Sequence, residues 1–322
     1  MYYVGIDLGG TNIVAGVVDE KYNLITKASC KTNAPRPENE ICDDMAAVTR
    51  KAVEQAGLTM DDVAWVGIGA PGPVNSKTGI VEFLPNMGFH NWKVVQMMTE
   101  RLNKKVMVEN DANAAAYGEY LAGAAKGAKN AVAVTLGTGV GGGIIIDSKI
   151  YSGSNYAGAE LGHMVIEYNG RKCGCGRKGC WEAYASASGL IQMTKEAIEE
   201  ENNPNSYMSK MVDGDLSKVN GITAFNAMRA NDPTGTKVVE KYIGYLACGI
   251  VNVINIFQPD VVCIGGGISR EGDTLIKPIM KIVEEERITK HNDKQAVVCP
   301  AQLGNDAGII GAAFLGKNTS EN

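Results

Sequence analysis

Residues 2–20 read YYVGIDLGGTNIVAGVVDE, two apolar runs separated by a glycine-rich turn, which predicts two β-strands joined by that turn. Residues 130–150, NAVAVTLGTGVGGGIIIDSKI, predict the same order of strand, turn and strand. A shift of 128 positions places Leu8 on Leu136 and Gly9 on Gly137. Such a repeat predicts a duplicated α/β fold with two similar domains, and ligands commonly bind in the cleft between domains of this kind.

The composition of the chain fits a globular protein of two domains. It has 322 residues, of which 45% are hydrophobic and 21% charged, and the net charge is -5. A negative net charge argues against nucleic acid as the main partner. We find no run of about 18 apolar residues and no signal-peptide pattern, so we expect no membrane span and a cytoplasmic location. Thiols stay reduced in that compartment.

Three glycine turns follow predicted strands, at residues 7–11 (DLGGT), 136–143 (LGTGVGGG) and 264–269 (IGGGIS). Glycine lets a phosphate approach the backbone N–H groups closely. None of the turns is a Walker A loop or a dinucleotide fingerprint. A single turn of this type is equally compatible with a tight hairpin, but three of them favour nucleotide binding.

Two aspartates stand at predicted strand ends. Asp7 precedes the first glycine turn and suits a water-mediated Mg²⁺ contact, although it could instead hydrogen-bond its own turn. Asp111, in ENDANAAA (109–116), lies where a strand ends and a helix begins. It could cap the helix, and it could also orient a sugar hydroxyl as a base in phosphoryl transfer.

Residues 162–182, GHMVIEYNGRKCGCGRKGCWE, place Cys173, Cys175 and Cys180 close together and His163 ten residues before the first of them. The thiols could form disulfides, act as a nucleophile or bind a metal. The expected reducing compartment counts against a disulfide framework.

Taken in order, the motifs DLGGT, GIGAPGPV, ENDANAAA, LGTGVGGG, ELGHMV, CGCGRKGCWE and GGGIS resemble the ROK family of repressors, open reading frames and kinases. Within that family they are most similar to the bacterial ATP-dependent glucokinases. The resemblance implies an actin-like, ribonuclease-H-related sugar kinase fold with an interdomain cleft. It suggests a smaller domain of residues 1–115, completed by a C-terminal helix of residues 306–322, and a larger domain of residues 116–305 that contains a zinc-binding segment of residues 163–180.

The resemblance also implies roles for individual residues in ATP-dependent phosphorylation of glucose at its 6-hydroxyl. Asp111 would be the general base. The sugar would contact Asn86, Asn110, Asp111, Glu160, His163 and Glu182. Mg²⁺-ATP would bind near Asp7, Gly9, Gly10, Thr11, Gly137, Thr138, Gly139, Gly265, Gly266 and Gly267. A homodimer or homotetramer is expected for this family.

The cysteine spacing matches the family and implies a structural Zn²⁺ held by His163, Cys173, Cys175 and Cys180. If one ring nitrogen of His163 binds zinc, the other must carry the proton and can donate it to a sugar hydroxyl. Zinc would thus hold His163, Glu160 and Glu182 in register for the sugar without taking part in the chemistry.

Two alternatives remain open. The substrate could be fructose, mannose, allose or an N-acetylhexosamine, because a few hydroxyl contacts decide the selectivity. The chain could instead be a sugar-sensing regulator. Family regulators carry a DNA-binding segment before the first glycine turn, and here that turn begins at residue 7.

Overall fold

The computed structural model describes residues 1–84 and 87–318. Its strands are β1 (Tyr2–Leu8), β2 (Asn12–Asp19), β3 (Leu24–Lys31), β4 (Val63–Ala70), β5 (Val74–Asn75), β6 (Ile80–Leu84), β7 (Phe89–Trp92), β8 (Val106–Asn110), β9 (Ala131–Leu136), β10 (Val140–Ile146), β11 (Lys149–Ile150), β12 (Val261–Gly266) and β13 (Val297–Pro300). Both predicted pairs of strands around a glycine turn, β1–β2 and β9–β10, are confirmed.

Its α-helices are α1 (Glu38–Gln55), α2 (Val94–Leu102), α3 (Asp111–Ala122), α4 (Glu182–Ala185), α5 (Ala187–Glu201), α6 (Tyr207–Met211), α7 (Thr223–Arg229), α8 (Pro233–Phe257), α9 (Asp273–Glu286), α10 (Ala307–Ala313) and α11 (Leu315–Asn318). The C-terminal helix expected over residues 306–322 is, in its described part, the pair α10 and α11, separated at Phe314. Among the described residues, no helix combines the length and the hydropathy that a membrane span requires, and this includes α8, the longest.

The two five-stranded sheets share one topology. The first has the order β3-β2-β1-β4-β8 and the second the order β11-β10-β9-β12-β13. Numbered along the chain within each sheet, both orders are 3-2-1-4-5. In each sheet an antiparallel hairpin is present, β1–β2 or β10–β11, and a parallel pair, β4–β8 or β12–β13. The shared order is the structural form of the repeat noted in the sequence.

By their internal contacts, the residues form two compact units. Unit 1 comprises residues 1–133, 142–159 and 301–322, and unit 2 comprises residues 134–141 and 160–300. Unit 1 contains the first sheet with α1, α2, α3 and α10. Unit 2 contains the helices α4 to α9 and the cysteine segment. The domain bounds expected from the sequence stay a prediction.

Small residues allow α10 to pack closely in unit 1. A Cβ atom on Gly5, in β1, would lie 1.8 Å from the carbonyl oxygen of Ile309, and one on Gly311 would lie 1.7 Å from that of Ala114 in α3. Backbone therefore touches backbone at both places, which only glycine permits. This packing fixes α3, which begins at Asp111, against the sheet whose strand β1 carries Asp7 near its end.

Candidate active site

The glycine turn between β1 and β2 is held by hydrogen bonds from a neighbouring strand end. The Gly9 N–H donates to the carbonyl oxygen of Asn12 (2.9 Å), which closes the turn. The buried Thr32 hydroxyl donates to the Gly9 carbonyl oxygen (2.7 Å). The Thr32 N–H donates to the Thr11 carbonyl oxygen (2.9 Å). Gly10 and Thr11 are exposed at the tip, where a ligand can reach them.

Asn110, not Asp111, caps helix α3. The Asn110 side chain accepts hydrogen bonds from the N–H groups of Ala112 (2.9 Å) and Asn113 (3.2 Å), and its Nδ2 donates to the Gly72 carbonyl oxygen (3.0 Å). Asp111 is the first residue of the helix, and its Oδ1 accepts from the Ala112 N–H (2.8 Å). Asp111 is therefore not the cap of α3. The Asn110 side chain is hydrogen-bonded within the protein through both its Oδ1 and its Nδ2.

The carboxylates of Asp7 and Asp111 influence one another. Burial, together with the charge of Asp111, raises the pKa of the Asp7 carboxyl from 3.8 to about 6. Two like charges near each other at a strand end are costly unless a cation or a proton offsets them. Because carboxylate oxygens are also the ligands that Mg²⁺ prefers, this pair suits a site for a divalent cation.

In unit 2 the glycine turn after β9 is joined to Glu182. The Gly137 N–H donates to the Gly139 carbonyl oxygen (3.0 Å), and the Ala187 N–H donates to the Gly137 carbonyl oxygen (2.9 Å). Glu182 Oε2 accepts from the Val140 N–H (3.2 Å). A Cβ atom on Gly139 would lie 2.1 Å from that same oxygen. Glycine at position 139 thus makes room for the Glu182 carboxylate.

The third predicted glycine turn is formed by the end of β12 and the start of a 3-10 helix (Gly267–Glu271), and it meets the second turn. Gly266 has a φ of +92°, and a Cβ there would lie 2.1 Å from the Leu136 carbonyl oxygen at the end of β9. Both requirements exclude a side chain at this position. A cavity of about 260 Å³ lies beside the second turn, lined by Thr138, Gly139, Lys172 and Glu182 together with Ser188 and Gln192 of α5.

The predicted zinc ligands lie together. One ligand atom each from His163, Cys173, Cys175 and Cys180 falls within 4.8 Å of the others. The Cys175 and Cys180 sulfurs are 3.7 Å apart, and the Cys173 sulfur lies 3.7 Å from His163 Nδ1. A disulfide would need about 2.05 Å. Four ligands about 2.3 Å from a tetrahedral zinc are about 3.8 Å apart, so these residues fit a zinc ion.

The environment of the cluster also suits a cation. Burial raises the pKa of the Cys173 thiol to about 12 and raises that of Cys180, whereas a backbone hydrogen bond at Arg177 lowers the pKa of Cys175. Arg177 also donates to the His163 carbonyl oxygen (2.9 Å). Thiols so placed become thiolates together only when a metal ion offsets their charge.

Two acidic side chains lie near the ring nitrogens of His163. Its Nδ1, on the side of the cysteines, lies 3.9 Å from Glu182 Oε1, and its Nε2 lies 3.8 Å from Glu160 Oε2. The Cys173 sulfur lies 3.3 Å from Glu182 Oε1. The structure therefore brings together the three residues of unit 2 predicted to bind the sugar. Asn86, predicted to contact the sugar as well, lies outside the described residues.

Several residues that hold the site were not predicted from the sequence. Thr32 gave no signal, and neither did Ser152, whose hydroxyl lies 3.3 Å from Glu109 Oε2. Each is a single hydroxyl residue whose partner is remote along the chain. Glu109 did give a signal, since a charged residue ends the apolar run VMVE, and its side chain is only 3% exposed. Lys172 is one of several cations near the cysteines in the sequence, yet it also lines the cavity beside Thr138.

The ROK family model matches residues 3–319. The chain belongs to the ROK family. It is 37% identical to a glucokinase of Streptomyces coelicolor over 314 residues, which are 98% of this chain and 97% of that protein. It is 30% identical to a xylose repressor of Bacillus subtilis, covering 98% of this chain and 76% of the repressor.

Solved structures of ROK proteins have the same fold. A ROK family glucokinase from Streptomyces griseus, crystallised with glucose and AMPPNP, superimposes with a TM-score of 0.80 at 36% identity, over 98% of this chain and 99% of that one. This chain therefore has the actin-like sugar kinase fold that its resemblance to the ROK family implied. The duplicated 3-2-1-4-5 sheets are part of that fold.

Proposed function

We propose that this ROK-family enzyme, a hexose kinase, transfers the γ-phosphoryl group of ATP to the 6-hydroxyl of glucose, with Asp111 as the general base. The observation that carries the proposal is that one residue caps α3 while the next one lies beside Asp7. Asn110 caps the helix, and Asp111 lies beside Asp7 without being needed as the cap. The glucokinase of S. coelicolor and the glucose- and AMPPNP-bound enzyme of S. griseus support glucose and ATP as the substrates.

In the proposed reaction, the Asp111 carboxylate accepts a hydrogen bond from the sugar hydroxyl and orients its oxygen toward the γ-phosphorus. The bond between that oxygen and phosphorus forms as the bond from phosphorus to the β,γ-bridging oxygen breaks, and ADP leaves with the electron pair. The hydroxyl proton passes to Asp111. Through a loose transition state the base mainly orients the nucleophile.

The donor would bind along the glycine turns. We assign the ATP phosphates to the turn of Gly9, Gly10 and Thr11 and to the turn of Gly137, Thr138 and Gly139, where backbone N–H groups other than those of Gly9 and Gly137 can face an anion. We assign the adenosine to Gly265, Gly266 and Gly267. The cavity beside Thr138 supports the assignment of the phosphates through the Thr138 hydroxyl and the Lys172 ammonium group, while the Glu182 carboxylate also lines it.

Mg²⁺ would be held near Asp7, whose carboxylate is costly to ionise without a cation because it is buried and because Asp111 lies beside it. When bound with ATP, Mg²⁺ neutralises charge that develops on the phosphate oxygens. Zn²⁺ would be held by His163, Cys173, Cys175 and Cys180 and would serve a structural purpose. With Nδ1 on the metal, His163 keeps its proton on Nε2 and can donate it to a sugar hydroxyl.

A coupled assay of ADP release with ATP, Mg²⁺ and a panel of hexoses tests the proposal, with zinc analysis of the same sample. Turnover with glucose well above that with the other hexoses, at one zinc per chain, is the expected result. A preference for fructose, mannose, allose or an N-acetylhexosamine would correct the substrate and keep the mechanism. Glucose binding without turnover would favour a sugar-sensing regulator, a role that the xylose repressor of B. subtilis makes worth testing.

The same samples give the assembly state by light scattering. We propose a homodimer or homotetramer, as the family resemblance implies.

A further inference from the structure

Glu109 is a buried carboxylate for which the proposed reaction has no use. It is the second-last residue of β8 and directly precedes the Asn110–Asp111 pair. Its side chain is 3% exposed. Burying a carboxylate away from water is costly unless hydrogen bonds compensate for the lost hydration. The contacts of this side chain therefore decide what it does.

The Glu109 carboxylate accepts hydrogen bonds from three parts of unit 1. Its Oε1 accepts from the Asn110 N–H at the strand end (3.0 Å) and from Asn113 Nδ2 in the first turn of α3 (3.0 Å). The Ser152 hydroxyl, just after β11, approaches Oε2 at 3.3 Å. Burial raises the pKa of Glu109, and the hydrogen bonds from Asn113, Asn110 and Ser152 offset only part of that rise. Each of these partners can donate a hydrogen bond to a carboxyl oxygen, so the buried side chain is satisfied within the protein.

These contacts surround the backbone of Asp111. Asn113, two residues after Asp111, and Asn110, one residue before it, are both tied to the same carboxylate. Asn110 in turn donates to the Gly72 carbonyl oxygen (3.0 Å) in the loop after β4. The junction between β8 and α3 is thus fixed from the loop at Gly72 on one side and from Ser152 on the other.

We propose that Glu109 is a positioning residue for the catalytic base, which sets the place of Asp111 by fixing the junction of β8 and α3 to Ser152. This role rests on the proposed function of Asp111 as the base. A reacting group misplaced by about 1 Å can lose about 10²-fold in rate.

Four variants test the proposal in the coupled kinase assay. Glu109→Ala removes all three bonds and should lower kcat by about 10²-fold, with the KM for ATP within about two-fold of wild type. Glu109→Gln keeps the shape and the Oε1 acceptor and should recover most of that loss. Ser152→Ala removes one bond and should lower kcat by about three- to ten-fold. Ser154→Ala, an exposed serine in the same loop, is the matched control and should behave as wild type.

Three results would overturn the proposal. A folded Glu109→Ala enzyme with kcat within about two-fold of wild type would show that the junction needs no anchor. A Glu109→Gln enzyme as slow as Glu109→Ala would assign the effect to charge rather than to position. If Glu109→Ala does not fold, Ser152→Ala decides, and equal kcat for Ser152→Ala and Ser154→Ala would refute the role.

Hydrogen exchange gives a readout that does not depend on turnover. The amides of Ala112 and Asn113 should exchange faster in Ser152→Ala than in Ser154→Ala, because the junction has lost a contact. Equal exchange in the two variants would contradict the anchoring. Faster exchange in an enzyme that phosphorylates no hexose would refute the proposed function and still support Glu109 as the anchor of this junction.

Discussion

Replacing Asp111 by asparagine separates the basicity of this residue from its structural contact. The variant Asp111→Asn keeps the size of the side chain and an oxygen for the Ala112 N–H, which in the wild type donates to Asp111 Oδ1 at 2.8 Å. The helix keeps its cap, because Asn110 supplies it. We expect kcat to fall by about 10²- to 10⁴-fold, the usual contribution of a general base, with the KM for ATP nearly unchanged.

The same substitution should change the titration of Asp7. The rise in the pKa of Asp7 from 3.8 to about 6 corresponds to about 3 kcal/mol. Burial is the larger of its two causes and the charge of Asp111 the smaller, so the share of Asp111 is below about 1.5 kcal/mol, or about one pKa unit. In Asp111→Asn the pKa of Asp7 should therefore fall by up to about one unit, which carboxyl NMR can measure.

The sign of the accompanying stability change follows from linkage. The folded-state pKa of Asp7 is raised, so the stability that this group contributes is fully present below pH 3.8 and is lost as the pH rises through about 6. Between about pH 4 and pH 7, the wild type should lose more unfolding free energy than Asp111→Asn. Denaturant titrations at the two pH values give the difference.

Asp61→Asn is the matched control, because Asp61 is exposed and lies in the short helical turn Met60–Asp62, far along the chain from the β8–α3 junction. A kcat for Asp111→Asn within about ten-fold of wild type would remove Asp111 as the base. An unchanged titration of Asp7 would contradict the electrostatic coupling of the two carboxylates.

Two further substitutions test the unit 2 part of the site. Cys175→Ser should lower the zinc content below one per chain and raise the KM for glucose more than the KM for ATP. Cys248→Ser, outside the cluster, should change neither the zinc content nor the two KM values. Full zinc content in Cys175→Ser would exclude Cys175 as a ligand. Gly139→Ala places a Cβ 2.1 Å from the present position of Glu182 Oε2, so this carboxylate has to move. The KM for glucose should rise by about ten-fold or more, because the hydrogen bond from the Val140 N–H to the carboxylate is lost. Gly137→Ala, where a Cβ meets nothing within 4 Å, should leave the KM for glucose unchanged, and equal effects of the two alanines on that constant would contradict the role of Glu182.

Much of the fold could be predicted because its elements are local patterns. The apolar runs around a glycine turn predicted β1–β2 and β9–β10. The long apolar stretch of residues 233–258 likewise predicts a buried helix, and α8 runs from Pro233 to Phe257. The position of Asp111, where an apolar strand ends, predicted the start of α3. Strand and helix periodicity lies within a few residues of the chain, so the sequence is sufficient to find it.

The candidate site was predictable where chemistry is concentrated in the sequence. The thiols of Cys173, Cys175 and Cys180 occur within eight residues, and the aspartates lie at the ends of apolar runs. The sequence left open whether Asp111 caps its helix, since Asn110 and Asp111 are both good caps. Only the tertiary structure decides, because the answer depends on which side chain reaches the Ala112 and Asn113 amides.

The sequence by itself determined the family, the strand pairs around the first two glycine turns, and the set of groups available for chemistry. Tertiary structure alone decided which groups meet. Glu109 reaches Ser152 across 43 positions of the chain, and Glu182 reaches the Val140 N–H across 42. No local pattern encodes such partners, because packing of whole elements brings them within hydrogen-bond distance. The close contact of Gly311 with Ala114, which brings α10 onto α3, arises in the same way.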